Sequence, residues 1–245
     1  MKLFYILISS LLVFSLASAA EMPAHPDSVN HPATSATVST LDEVGGRVLT
    51  LYTEADNPQK LWAGTTHGGL WHSADNGQSW KLATDLMKNM AVGAVAVDPL
   101  SDDIIYAGTG EGRSNKASLR GHGMFKSSDG GRSWTLLPLT DPATVGDSWS
   151  HINSIAISAA GVILAATSDD KYNGFIYRST DGGKTWGIVP VYTGSKVGPH
   201  NIIYKVRFDP DNPDTALFMD GYANVTYSSD GGATWSLARK GKTCP

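Results

Sequence analysis

Three stretches of this 245-residue chain gather side chains able to do chemistry. "GEGRSNKASLRGHG" carries Glu111, Arg113, Lys116, Arg120 and His122, "SDDKYNG" carries Asp169, Asp170 and Tyr172, and "TDPATVGDSWSH" carries Asp147, Trp149 and His151. Carboxylates, cations and aromatic rings in one neighbourhood suit a carbohydrate, because a ring can cover the apolar face of a sugar while polar groups satisfy its hydroxyls. Trp149 and Tyr172 are the candidate stacking rings, and Arg113, Arg120, His122 and His151 the candidate polar contacts. Cleaving a glycosidic bond further requires two carboxyl groups, about 5 to 5.5 Å apart for retention or roughly 6.5 to 9.5 Å for inversion. Glu111 with Asp169 or Asp170 is the candidate pair, and sequence does not set the distance.

Such loops need a scaffold, and the chain supplies one by repetition. "SADNGQSW" from Ser73 returns as "SSDGGRSW" from Ser127, "STDGGKTW" from Ser179 and "SSDGGATW" from Ser228. The aspartates Asp75, Asp129, Asp181 and Asp230 are thus 54, 52 and 49 residues apart. A period near fifty residues indicates propeller blades. Around each copy, a β-branched or alternating run leads through a turn to a second run, a third enters the aspartate turn, and a fourth leaves from the tryptophan. Four short strands per unit is the blade pattern. With 26 Gly and 12 Pro placed mainly at the joints between runs, and no amphipathic helical window, the chain is expected to be all-β. Blades are expected over about 47–84, 92–138, 152–190 and 202–239, inside a propeller domain spanning 47–245.

An aspartate at a hairpin tip can accept backbone N–H groups of its own turn. Gly77, Gly131, Gly183 and Gly232 lie two residues after each aspartate, where a left-handed backbone would be costly for other residues. Trp80, Trp134, Trp186 and Trp235 each offer an indole for burial between sheets, on the order of 4 to 6 kcal/mol before entropy is charged. These repeated aspartates read as structural. Each turn supplies one carboxylate, whereas calcium takes six to eight oxygens, so no metal is expected, and no cofactor.

The pattern S-x-D-x-G-x-[ST]-W resembles the Asp-box, or BNR repeat, of sialidases, xyloglucanase-type glycoside hydrolases, sortilin-type receptor domains and assembly factors of photosynthetic complexes. The resemblance covers residues 47–239. It implies that the boxes lie on the face opposite the ligand, leaving the three stretches above on the ligand face. It also sets two departures in view: the sequence has no R-I-P motif of the sialidase kind, and His67 in "GTTHGG" stands where the xyloglucanase group places an acidic residue. The expectation is therefore an exported binding or scaffold module for a glycan, without catalysis. The alternatives are a glycoside hydrolase of the BNR type using Glu111, and a sortilin-like module for a protein or peptide.

The first 20 residues, with Lys2, an apolar run and small residues at Ala17 and Ala19, form an expected signal peptide, and the Pro- and Ser-rich segment 21–46 a flexible leader. The mature chain is then secreted or periplasmic, with no membrane span. Lys and Arg number 19 against 23 Asp and Glu, which argues against nucleic acid. Cys244 is the single cysteine, so the fold rests on its apolar core rather than on an internal disulfide. Four blades also fall short of the number usual in Asp-box propellers, so an incomplete ring or fragment is expected, with self-association through its open edges possible. Intact-mass measurement of secreted protein should show a chain starting after Ala19 or Ala20; a mass that retains "MKLFYILISS" would contradict export.

Overall fold

The computed structural model describes residues 47–54, 57–87, 90–112, 118–191 and 201–239. The expected signal peptide and leader, together with Arg113, Lys116 and Cys244, lie outside the described residues. Within them, alternation of apolar and polar residues produces four antiparallel sheets of four strands, each a meander in chain order. The first blade comprises β1 (Val48–Thr53), β2 (Leu61–Thr65), β3 (Leu70–Ser73) and β4 (Lys81–Leu82); the second β5 (Val92–Asp98), β6 (Ser101–Thr109), β7 (Met124–Ser127) and β8 (Thr135–Leu136). The third has β9 (His151–Ile157), β10 (Ile163–Ser168), β11 (Gly174–Ser179) and β12 (Gly187–Val189), and the fourth β13 (Ile203–Phe208), β14 (Ala216–Asp220), β15 (Val225–Ser228) and β16 (Ser236–Arg239). The chain is an all-β propeller of four-stranded Asp-box blades. Among the described residues helix is confined to links between blades, namely α1 (Pro142–Val145) and the 3-10 turns Asp85–Met87 and Asp147–Trp149. α1 is too short to leave a periodic trace, and is capped by Asp141, whose side chain accepts the Ala143 N–H.

Blades stack inner strand to inner strand, β1 on β5, β5 on β9 and β9 on β13. Among the described residues no packing of comparable extent returns from β13 to β1, so the four blades form an arc. Three apolar layers fill the three junctions, around Trp62, Val95 and Trp134, around Tyr106, Trp149 and Ile155, and around Leu164, Val206 and Phe218. On the first blade the same register position lies open: Leu51 is 55% exposed where its equivalents Val95, Ile155 and Val206 are 7%, 6% and 0% exposed.

The box turn is a closed hydrogen-bond circuit. In the second blade the Ser127 hydroxyl donates to Asp129 Oδ1 (2.8 Å) and accepts the Gly131 N–H (2.8 Å), while Asp129 takes the Ser133 N–H (2.9 Å) and hydroxyl (2.6 Å). The other three boxes repeat it. Donation from the Ser133 hydroxyl, then its N–H, then the Ser127 hydroxyl pulls the Asp129 carboxyl down to about 2, and Asp75 is lowered to about 2 in the same way. The expected left-handed glycines have φ of 83°, 86°, 88° and 81° at Gly77, Gly131, Gly183 and Gly232. Each is preceded by a second left-handed residue, Asn76, Gly130, Gly182 or Gly231, which is why only Gly or Asn follows the aspartate.

That doubly left-handed corner is the part that meets the preceding blade. A Cβ built on Gly131 would sit 2.4 Å from the Trp62 ring, and one on Gly232 2.7 Å from Leu164. Trp62, Tyr106 and Leu164 share one register position on β2, β6 and β10, and across from them stand His72, Lys126 and Arg178. Lys126 Nζ and the Tyr106 hydroxyl both donate to the Gly182 carbonyl at 3.2 Å, and Arg178 Nε to the Gly231 carbonyl at 2.9 Å. At the first junction His72 instead packs on Trp62, with ring centroids 4.5 Å apart.

Three substitutions separate burial from turn geometry. Trp134→Ala should lower stability by about 3 to 5 kcal/mol in denaturant unfolding, and Trp80→Ala, half-buried at the arc's end, by less. Gly131→Ala should destabilise through both its positive φ and the Trp62 contact; an unchanged unfolding midpoint would contradict this junction.

Candidate functional site

Antiparallel meanders put the box turns on one face and the β2–β3, β6–β7, β10–β11 and β14–β15 turns on the other, beside the links between blades. The second face is where the candidate residues fall. Glu111 is 3% exposed, and its carboxylate forms an ion pair with Arg47, from just ahead of β1, while its N–H donates to the Leu119 carbonyl at 2.7 Å. It therefore ties the first blade to the long loop of the second. Arg47 was not apparent in the sequence as part of this site, because 64 residues separate it from Glu111.

Arg120 sits between two neighbouring loops, donating from Nη1 to Asp170 and from Nη2 to Asp147, each at 2.6 Å. His151 opens β9 below them and is 3% exposed, with Nε2 3.3 Å from Asp170 Oδ1 and Nδ1 3.2 Å from the Leu119 carbonyl. A carbonyl only accepts, so Nδ1 carries the proton, and Nε2 can donate to Asp170 only in the imidazolium form. Desolvation by burial outweighs the pull of Asp170 and lowers the His151 pKa below its ordinary value.

Other expected site residues have different employment. Trp149, expected as an exposed stacking ring, is 2% exposed: it is stacked on Tyr177 at 4.4 Å between centroids and edge-on to Trp186 at 5.2 Å. The 3-10 turn that Trp149 closes directs it into the layer between the second and third blades, where a large apolar ring buries most area. Asp169 is a turn residue rather than a free acid, accepting the N–H groups of Lys171 (2.9 Å) and Asn173 (2.8 Å) and the Asn173 side-chain amide (2.8 Å). His122 is exposed, with its N–H held by the Thr109 hydroxyl (2.7 Å), and Tyr172 is half-buried with φ 65°.

The Asp169 turn has a twin. Asp220 accepts the N–H groups of Tyr222 (3.0 Å) and Asn224 (2.9 Å), and the side-chain amides of Asn224 (2.8 Å) and Asn201 (2.9 Å). Ala223 there takes φ 57°, matching Tyr172. The shared letters D-x-x-x-N at equivalent places in two units were the available signal for these turns, and for Tyr222 within the second.

All four inner strands also carry a β-bulge at this end. The extra residues are Leu49, Gly93, Asn153 and Tyr204, each falling between two paired residues of the register. A bulge leaves its residue out of the ladder and re-aims the side chain. Asn153 uses this freedom to donate from Nδ2 to the Ser168 hydroxyl (3.3 Å) and to the Ile203 carbonyl (3.2 Å) of the next blade.

With this geometry in hand, the known proteins fall into place. The BNR/Asp-box repeat model matches residues 177–186 and 226–237, the third and fourth boxes with their entering strands. A xyloglucanase of Hypocrea jecorina is 27% identical over 206 residues, 73% of this chain and 22% of that protein, and one of a Paenibacillus species is 27% identical over 197 residues, 70% and 17%. The crystal structure of an ancestral GH74 enzyme superimposes with a TM-score of 0.62 at 25% identity, covering 78% of this chain and 24% of its own. The chain spans about a fifth of the length of the curated relatives it matches.

The buried imidazole makes acid sensitivity a two-stage property. A lowered folded pKa means that the unfolded state binds the extra proton, so the contribution of His151 is intact above about pH 6.5 and is lost as pH falls below it. His72, lowered chiefly by burial, acts in the same window. The box carboxylates of Asp75 and Asp129, held near 2, withdraw their contribution only between about pH 4 and 2. Melting temperature against pH should therefore fall in two stages, and His151→Gln should flatten the upper one; a profile unchanged by that substitution would contradict the assignment.

Proposed function

We propose that these Asp-box blades form part of a BNR-type glycoside hydrolase scaffold of the xyloglucanase kind, exported from the cell, with a glucan chain bound across the face opposite the boxes. The observation that carries this reading is the 27% identity to two xyloglucanases over about 200 residues, extending well beyond the short box motifs. The geometry agrees with it. The loops on that face are held by buried polar groups, Glu111, His151 and Asp220, so the surface is preorganised before a ligand arrives. No described helix is long and apolar enough to cross a membrane.

If this chain cleaves, the carboxylates able to share the work are Asp170, 42% exposed at the surface, and Glu111, bound to the same 119–120 segment from beneath. One carboxyl would protonate the leaving oxygen while the other served as nucleophile or activated water. A specific observation favours recognition without cleavage as the second reading. Glu111 is paired with Arg47, Asp147 and Asp170 with Arg120, and Asp169 and Asp220 are used up in turns.

Incubation with xyloglucan, following both retention on polysaccharide-containing gels and release of reducing ends, decides between them. Cleavage is expected to fall at least about a hundredfold in Glu111→Gln or Asp170→Asn if these residues act as acid and base. Retention without new reducing ends would support the binding module, and absence of any affinity for xyloglucan would overturn the glycan reading.

A further inference from the structure

The fourth blade differs from the others at two matched positions. Its bulged residue is Tyr204, where the earlier blades have Leu49, Gly93 and Asn153. Two residues beyond the end of its second strand's paired register stands Tyr222, where the first and third blades have His67 and Asp170. Both tyrosines are open, 41% and 47% exposed. Gly221 precedes Tyr222 in the turn, and a Cβ placed on it would be 3.6 Å from Cε2 of Tyr204, so the Tyr204 ring lies beside the turn that carries Tyr222.

The backbone under both rings is tied down. The Gly221 N–H donates to the Ile202 carbonyl (2.8 Å) and Asn201 Oδ1 (3.0 Å), and the Tyr222 N–H to Asp220, itself 2% exposed. Tyrosine rings on a fixed backbone offer large amphipathic contact area and lose little entropy when a ligand covers them. We propose that Tyr204 and Tyr222 form a stacking subsite for β-linked hexopyranose units, one blade beyond the Arg120–Asp170 network. A pyranose with equatorial hydroxyls presents flat C–H faces to an aromatic ring and directs its hydroxyls outward, where the phenol groups and water can meet them. This subsite deepens the glucan-recognition reading above and rests on it.

The test is calorimetric titration of the whole chain with cellohexaose and with xyloglucan oligosaccharides, comparing the wild type with Tyr222→Ala, Tyr204→Ala and Tyr222→Phe. Each alanine variant is expected to bind at least about tenfold more weakly, with Tyr222→Phe close to wild type because the face of the ring is kept. Melting curves should stay within a few degrees of wild type, since both rings are exposed. Wild-type binding that survives both alanine substitutions would overturn the subsite while leaving the broader reading standing. A wild-type chain that binds neither sugar would overturn both.

Discussion

The seat of the second, third and fourth Asp-box corners on the preceding blade is the contact on which the rest of the structure depends. Two successive left-handed residues bring the backbone of the turn so close to Trp62 or Leu164 that no Cβ fits at Gly131 or Gly232, while at the second junction a Cβ on Gly183 would meet Leu137 and the Gly182 carbonyl accepts the Tyr106 hydroxyl. The serine and aspartate of the box make that corner affordable, because their circuit satisfies the N–H groups that a tight turn would otherwise strand. The tryptophan then closes the layer, as when Trp134 meets Trp62 edge-on at 6.2 Å. A purely apolar contact could slide; the Lys126 and Arg178 bonds to the next box's carbonyls fix its register.

With blades registered at the box face, the opposite face is free to vary, and it varies by polar construction. The first blade turns with Thr65 and Gly69, the second with a long loop held by Glu111 and Arg120, and the third and fourth with D-x-x-x-N turns. Arg120 and His151 make one unit of loops from two blades, since Asp170 belongs to the third and Arg120 to the second. A partly exposed ion pair adds little stability by itself. Its use here is to hold loop positions on the face opposite the boxes.

The blade architecture was legible in the sequence because its determinants are local and occur four times: the aspartate, the glycine and the tryptophan lie within eight residues of one another. The candidate loops were legible as insertions. What their side chains do was less so. Trp149 has the letters of a sugar-stacking residue, yet a 3-10 turn of three residues decides that it faces the core. Arg47 with Glu111, and Asn201 with Asp220, are pairings between distant segments that no spacing announces. The bulges at Leu49, Gly93, Asn153 and Tyr204 are changes of register, visible only once partner strands are known. Asp169 is a middle case, since its twin at Asp220 was present in the letters and could have marked both as turn residues.

The central claim is a division of labour between the two faces, with boxes holding blades together and, as proposed, the opposite turns meeting a glucan chain. A crystal structure of the protein soaked with a xyloglucan oligosaccharide tests it most directly. The account predicts sugar density over the turns at 118–123, 169–173 and 220–224. Sugar seated instead against the Asp129 or Asp181 turns, with the opposite face empty, would contradict it.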